Sequence, residues 1–165
     1  MIARFLKHIF FGKWNIYTKF PSKSMNNIQS EIKRSEKLHR GEIRFAVEAS
    51  INPMLVLKKV TARQRAIQIF SLLNIWDTEE NTGVLIYLLL ADHDIEIIAD
   101  RGINKKVPQK EWDDICHEME IQFKQKNFEQ GVISGIQKIT YLLAKNFPHN
   151  GNNDYNELPD SPVIV

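Results

Sequence analysis

The longest apolar run in the chain lies in TGVLIYLLLADHDIEIIADRG, Thr82 to Gly102, and its pattern predicts a β-hairpin. Val84 to Leu90 is apolar on both alternating faces, so the strand needs cover on each side, and it is far too short to cross a bilayer. Asp92-His93-Asp94 supplies a turn. Beyond it Ile95, Ile97 and Ala99 alternate with Glu96, Ile98 and Asp100, the period of a strand. Hairpin strands run antiparallel, so their outer ends meet. Asp77, Glu79, Glu80 and Asn81 are therefore expected beside Asp100 and Arg101.

The flanking pattern supplies the cover. Glu42 to Ile51 sets Ile43, Phe45, Val47, Ala49 and Ile51 against Glu42, Arg44, Ala46, Glu48 and Ser50, a strand with one strongly apolar face that Pro53 ends. Helical spacing joins Met25, Ile28 and Ile32 in a segment capped by Ser22 or Ser24 and running to about Leu38. Thr61 caps a helix with Ala62, Ala66, Ile69, Phe70 and Leu73 inward, up to about Trp76. Pro108 opens another over Trp112, Ile115, Cys116, Met119 and Phe123, and Asn127 caps the last, with Val132, Ile133, Ile136, Ile139 and Leu143 inward and Phe147-Pro148 at its end. Strands separated by helices predict an α/β fold, a three-layer α/β/α sandwich with a small mixed central sheet, spanning residues 21–147. The stretch 148–165, PHNGNNDYNELPDSPVIV, reads as a flexible tail or an extended arm, with Val163-Ile164-Val165 either frayed or added to a sheet edge.

Residues 1–20 form a separate basic and aromatic segment. Ile2, Phe5, Leu6, Ile9 and Phe10 make a helical stripe, with Arg4, Lys7 and His8 on the other side. The stripe either packs on the domain or lies on an anionic membrane surface; Phe11, Lys13, Trp14, Tyr17, Lys19 and Phe20 continue the composition that such anchors use. Arg4, Phe5, Lys7, Phe10, Lys13 and Trp14 are the candidate docking residues for a membrane or a protein partner. The segment lacks a small-residue cleavage site and reads poorly as a signal peptide.

Composition adds one asymmetry. Net charge is only +2, yet residues 1–65 hold fourteen Lys/Arg against four Asp/Glu, and residues 66–100 hold seven Asp/Glu and no Lys or Arg. Such segregation favours mutual packing or separate partners of opposite sign. With 43% apolar and 25% charged residues, 165 residues suit one globular domain. The single cysteine, Cys116, excludes an internal disulfide, and a cytoplasmic location is the default expectation, with peripheral contact at the inner membrane face if the N-terminal segment docks there.

Catalytic constellations are not spelled out. The five histidines are scattered, and His117-Glu118 fails as a zincin helix because Ile121 stands where a second histidine is needed. There is no Gly-rich phosphate loop and no Gly-x-Ser-x-Gly elbow, and Cys116 on an apolar helix face reads as a structural thiol. Asp92-His93-Asp94 reads as a turn before it reads as an acid–base pair. Nucleic acid is not an expected partner, since neither an RNP-like strand nor a helix-turn-helix is present. Asp77, Glu79, Glu80, Asn81 and Asp100 are the candidate oxygen ligands for Ca²⁺ or Mg²⁺, with Arg101 placed to neutralise Asp100 or hold an anion.

Asn81-Thr82-Gly83-Val84-Leu85-Ile86, with the hairpin and the two helices after it, resembles the TPM domain family, named for a thylakoid lumen protein, a photosystem II repair protein and a receptor-associated membrane protein. The resemblance covers roughly residues 41–147. It implies an α/β/α sandwich and, in some members, divalent-cation binding at acidic loops and a proposed acid phosphatase activity. Members often carry a signal peptide and a transmembrane anchor, so the chain looks like a smaller soluble branch. Many relatives have Asp-Asn-Gly before the central strand. Aligned on Gly83, that Asp falls on Asn81 and the Asn on Thr82, which removes a negative charge from the implied ion site. A Gly-Tyr-Gly-like end to the second hairpin strand falls on Asp100, Arg101 and Gly102. A non-catalytic or weakly active domain working by contact is the first expectation; a divalent-ion-dependent, phosphatase-like hydrolase is the alternative.

Overall fold

The two longest strand patterns lie side by side in a computed structural model that describes residues 2–149 and 156–165. β1 (Glu42–Glu48) and β2 (Gly83–Leu89) pair in parallel, Ile43 opposite Val84 and Val47 opposite Leu88. Parallel pairing demands a crossover, which α4 (Pro53–Leu57) and α5 (Ala62–Leu72) supply. Thr61 starts α5 with the capping box that its sequence offers, trading hydrogen bonds with Gln64 in both directions. β3 (Asp94–Ala99) returns antiparallel on β2, after a turn in which His93 takes a positive φ of 56°.

Helices cover both faces, as the doubly apolar β2 requires. Ile43, Phe45, Val84, Ile86 and Ile97 face α2 (Trp14–Lys19), α3 (Ser22–Ser35), α7 (Gln109–Lys124) and α8 (Phe128–Asn146). Ala46, Leu85, Tyr87 and Ile98 face α4 and α5, with Phe5 of α1 (Ile2–Phe10) at the margin. The expected three-layer α/β/α sandwich is therefore present. A short α6 (Arg101–Asn104), not foreseen, follows β3 with Asp100 as its cap.

Two expectations need correcting. β1 is buried on both sides, not one. On its polar face Glu48 is well partnered, since Arg65 reaches both its oxygens at 2.9 Å and the Tyr87 hydroxyl donates to one at 2.6 Å, whereas Arg44 Nη1 is buried without a hydrogen-bond partner. The flexible tail is the second. Residues 150–155 lie outside the described residues, but β4 (Val163–Ile164) pairs in parallel with β1, giving the sheet order β3-β2-β1-β4. Leu158 joins the core, and Glu42 accepts the backbone N–H groups of Glu157 and Leu158 at 3.1 and 3.3 Å. Over 156–165 the stretch is an extended arm.

Candidate functional site

The sheet has two poles: the rim expected as a candidate ion site lies at one, and the Asp92-His93-Asp94 turn lies at the other. At the first, the chain enters β2 and leaves β3. The two approaches do meet: Asp100 N–H donates to Gly83 O at 2.9 Å, and Gly102 N–H donates to Asn81 O at 3.1 Å. Gly102 permits this contact, because a Cβ there would lie 2.5 Å from Asn81 O and 2.6 Å from Glu80 O. Arg101 Nε donates to Asn81 Oδ1 at 2.9 Å. Asn81 itself sits at φ 56°, which asparagine tolerates better than most residues.

The carboxylates at this rim are differently disposed. Glu80 pairs with Arg40, whose Nε also donates to Pro148 O at 3.1 Å. Asp100 Oδ1 accepts its neighbour's N–H at 2.7 Å, while its Oδ2 is buried with no hydrogen-bond partner. Asp77 and Glu79 are exposed, and the Glu79 N–H donates to Glu157 of the arm at 2.8 Å. Among the described residues no group of three or more His, Cys, Asp or Glu is arranged to hold a metal. Guanidinium groups occupy one Glu80 oxygen and Asn81 Oδ1 among the oxygens that an ion would need. Arg101 is exposed and is engaged with Asn81.

Beneath the rim sits an acid cluster that sequence reasoning missed. Burial pushes Glu36 up to about 9 against the Ile43 N–H it accepts at 2.9 Å, and Glu42 and Asp160 add to the rise. Burial also pushes Glu42 up to about 7. A Glu36 that keeps its proton donates to Asp160 and clips the arm to the end of α3.

At the opposite pole the turn after β2 receives α1. Arg4 Nη2 lies 2.7 Å from Asp92 Oδ2 and also donates to Val60 O at 3.0 Å. His8 Nδ1 accepts the Ile51 N–H at 3.1 Å, so its ring proton sits on Nε2, which donates to Asp92 Oδ1 at 3.1 Å. Burial by itself pushes Asp92 up, but hydrogen bonds from Arg4 and His8, with the charge of Arg4, outweigh it and hold the carboxyl below the usual aspartate range. Asp92 is thus an anchor for α1.

This anchor inverts the helix. Arg4, Phe5 and His8 turn inward, whereas Ile2, Leu6, Ile9 and Phe10 face out, Phe10 at 77% exposure. Trp14 and Tyr17 of α2 extend the exposed face, at 64% and 59%, and Lys7 and Lys13 are exposed among them. Of the six candidate docking residues, Lys7, Phe10, Lys13 and Trp14 are at the surface, while Arg4 and Phe5 hold the helix to the domain. Cys116 is pushed up to about 12, by burial first, and is an inert thiol.

The segregated charge is met largely by mutual packing. Arg4–Asp92, Arg40–Glu80 and Arg63–Glu96 each join the cationic third to the acidic stretch. No helix among the described residues is long and apolar enough to cross a membrane.

Comparisons with known proteins agree with the fold. Residues 20–142 match the TPM domain. The NMR structure of BA42 protein from the psychrophilic bacterium Bizionia argentinensis is similar at 33% identity and a TM-score of 0.78, covering 88% of this chain and 95% of that one. The N-terminal domain of a protein from P. gingivalis shares the fold at 15% identity and a TM-score of 0.64, over 79% of this chain and 83% of that one. No curated protein matches. With the TPM domain matched over most of its length, the chain belongs to the TPM domain family.

Proposed function

We propose that the chain is a TPM-type domain that works by contact, docking on an anionic membrane surface through the outward face of α1 and α2. The inversion of α1 carries this reading. A helix held by Arg4 and His8 presents its large apolar side chains to solvent, an arrangement that costs solubility unless something covers them. Charge selects the cover. Between Met1 and Ser30 there is no Asp or Glu, and Lys7, Lys13, Lys19 and Lys23 accompany Phe10, Trp14 and Tyr17. Aromatics at the interface with basic residues around them suit an acidic bilayer, where each lysine near the surface contributes about 1 kcal/mol.

Sedimentation with vesicles tests it. The full chain is expected to pellet with phosphatidylglycerol-containing vesicles and not with pure phosphatidylcholine. The Phe10→Ser, Trp14→Ser double variant is expected to bind at least tenfold more weakly with its stability unchanged. Wild-type protein that stays in the supernatant with anionic vesicles at low salt overturns membrane docking and leaves a protein as the partner.

The hydrolase alternative requires Glu80 and Asn81 to be released from Arg40 and Arg101. Turnover of a generic phosphate ester that rises with added Ca²⁺ or Mg²⁺ supports it; absence of turnover removes it.

A further inference from the structure

Where α2, α7 and α8 converge on the hairpin turn, a cavity of about 510 Å³ opens, a size that takes a small ligand. Phe123 and Phe128 form an aromatic wall, their ring centroids 5.3 Å apart. Lys19, Lys124 and Lys126 stand around it, with Glu120 the acid in the lining and His93 reaching in from the turn. None of these three lysines has a carboxylate within ion-pair distance among the described residues; Lys19 instead lies over the rings of Phe11 and Phe128, 5.7 and 5.6 Å from their centroids. The cavity thus combines an apolar wall with unneutralised cations, the pairing that recognises an anionic group carried on an apolar body.

We propose that this cavity is the headgroup subsite for an anionic phospholipid, with the lipid phosphate among Lys19, Lys124 and Lys126 and the apolar part of the lipid against Phe123 and Phe128. The proposal rests on the membrane reading for its choice of a lipid as the ligand's source. Lys19 belongs to α2, the helix that also carries the exposed Trp14 and Tyr17, so one helix contributes to both the cavity and the docking face. The α8 N-terminus, where Asn127 makes no side-chain cap bond, adds its partial positive charge nearby. The local potential is registered by His93. Burial first, then the charges of Lys7 and Lys19, hold its imidazole below the usual histidine range, with Asp92 opposing them. A phosphate in the cavity adds a negative charge that opposes Lys7 and Lys19 and raises His93.

The test is an NMR titration of the full chain with dihexanoyl phosphatidylglycerol below its micelle concentration. Dihexanoyl phosphatidylcholine and glycerol 3-phosphate serve as controls. Expected are saturating shifts at Phe123, Lys124 and Phe128, and a rise in the His93 titration midpoint against the background of Lys7, Lys19, Lys124, Lys126, Asp92 and Glu120, with Asp94, raised by burial to about 6, titrating in the same range. Lys124→Gln with Lys126→Gln, both on exposed residues, is expected to weaken binding at least tenfold. The Phe10→Ser, Trp14→Ser variant should keep cavity binding while losing vesicles. No shift at the cavity, with vesicle sedimentation intact, overturns the subsite and leaves the membrane reading standing. Cavity shifts with no vesicle binding overturn the membrane reading instead. Glycerol 3-phosphate binding as tightly as the lipid overturns the lipid source, and equal binding of phosphatidylcholine overturns selection by charge.

Discussion

α8 and α1 both carry apolar residues at helical spacing, and they use them in opposite ways. α8 buries Val132, Ile136, Ile139 and Leu143 against the sheet and leaves Lys145 and Tyr141 outside. α1 buries His8 and half-buries Arg4 and Phe5, and leaves Ile2, Leu6, Ile9 and Phe10 outside. The difference is one of partners. α8 meets an apolar sheet face and α7, whereas α1 meets a turn whose Asp92 needs a cation and a backbone N–H, that of Ile51, that needs an acceptor. A stripe of apolar residues shows that a helix has two sides; the surface it meets decides which side goes in.

The largest effects should come from breaking buried contacts. Ile136→Ala is expected to lower unfolding free energy by about 2–5 kcal/mol in urea titrations, whereas Ile9→Ala should change it by about 0.5 kcal/mol or less. Equal losses at the two positions would erase the contrast. Glu48→Ala leaves Arg65 and the Tyr87 hydroxyl without their acceptor under α5 and should cost about 3–5 kcal/mol.

Next in size is release of α1. Asp92→Asn removes the charge that holds Arg4 and should expose the amides of residues 2–10 to hydrogen exchange while those of α8 stay protected. Acid is expected to mimic it. Asp92 is held below its ordinary range, so its contribution is present above the unfolded-state aspartate range and is lost as the pH falls through the folded value. Protection of α1 that persists unchanged in Asp92→Asn would show that the Asp92 charge does not seat the helix.

The C-terminal arm stands between the two helices, seated by Leu158 and by a carboxyl that keeps its proton. Glu36 is raised, so between the ordinary glutamate range and about 9 only the folded chain holds that proton, and stability falls as pH rises through this window. Glu36→Gln copies the protonated form. It should stabilise the protein at pH 8 by about 1 kcal/mol or more and flatten the pH dependence. Smallest of all, Phe10→Ser should leave stability within about 0.5 kcal/mol while reducing vesicle binding.

What the sequence could show follows the range of the interactions. The hairpin was legible because a doubly apolar run, a turn at Asp92-His93 and an alternating strand are local facts. The meeting of Asn81 with Gly102 was legible too, since antiparallel strands must bring those ends together. The orientation of α1 was not, because Asp92 lies 88 residues from Arg4 and Ile51 lies 43 from His8. Nor was the pairing at the rim, where Arg40 reaches Glu80 only because β1 runs parallel to β2. Glu42 falls on the polar face of its strand, and its burial depends on the arm, whose Glu157 and Leu158 amides it accepts. Nothing local in the sequence singles out Lys124 and Lys126, which only the packing of α7 and α8 brings beside Phe123 and Phe128.

The outward stripe of α1 is the claim on which the membrane reading and the lipid subsite both depend, and solvent paramagnetic relaxation measures it directly. With a soluble gadolinium chelate added to the full chain, the methyl signals of Leu6 and Ile9 and the ring signals of Phe10 should be strongly attenuated, while Ile16 and Ile136 are spared. Attenuation of Leu6 and Ile9 as weak as that of Ile136 would contradict the account, for it would mean that the stripe is buried and that nothing on α1 is left to dock.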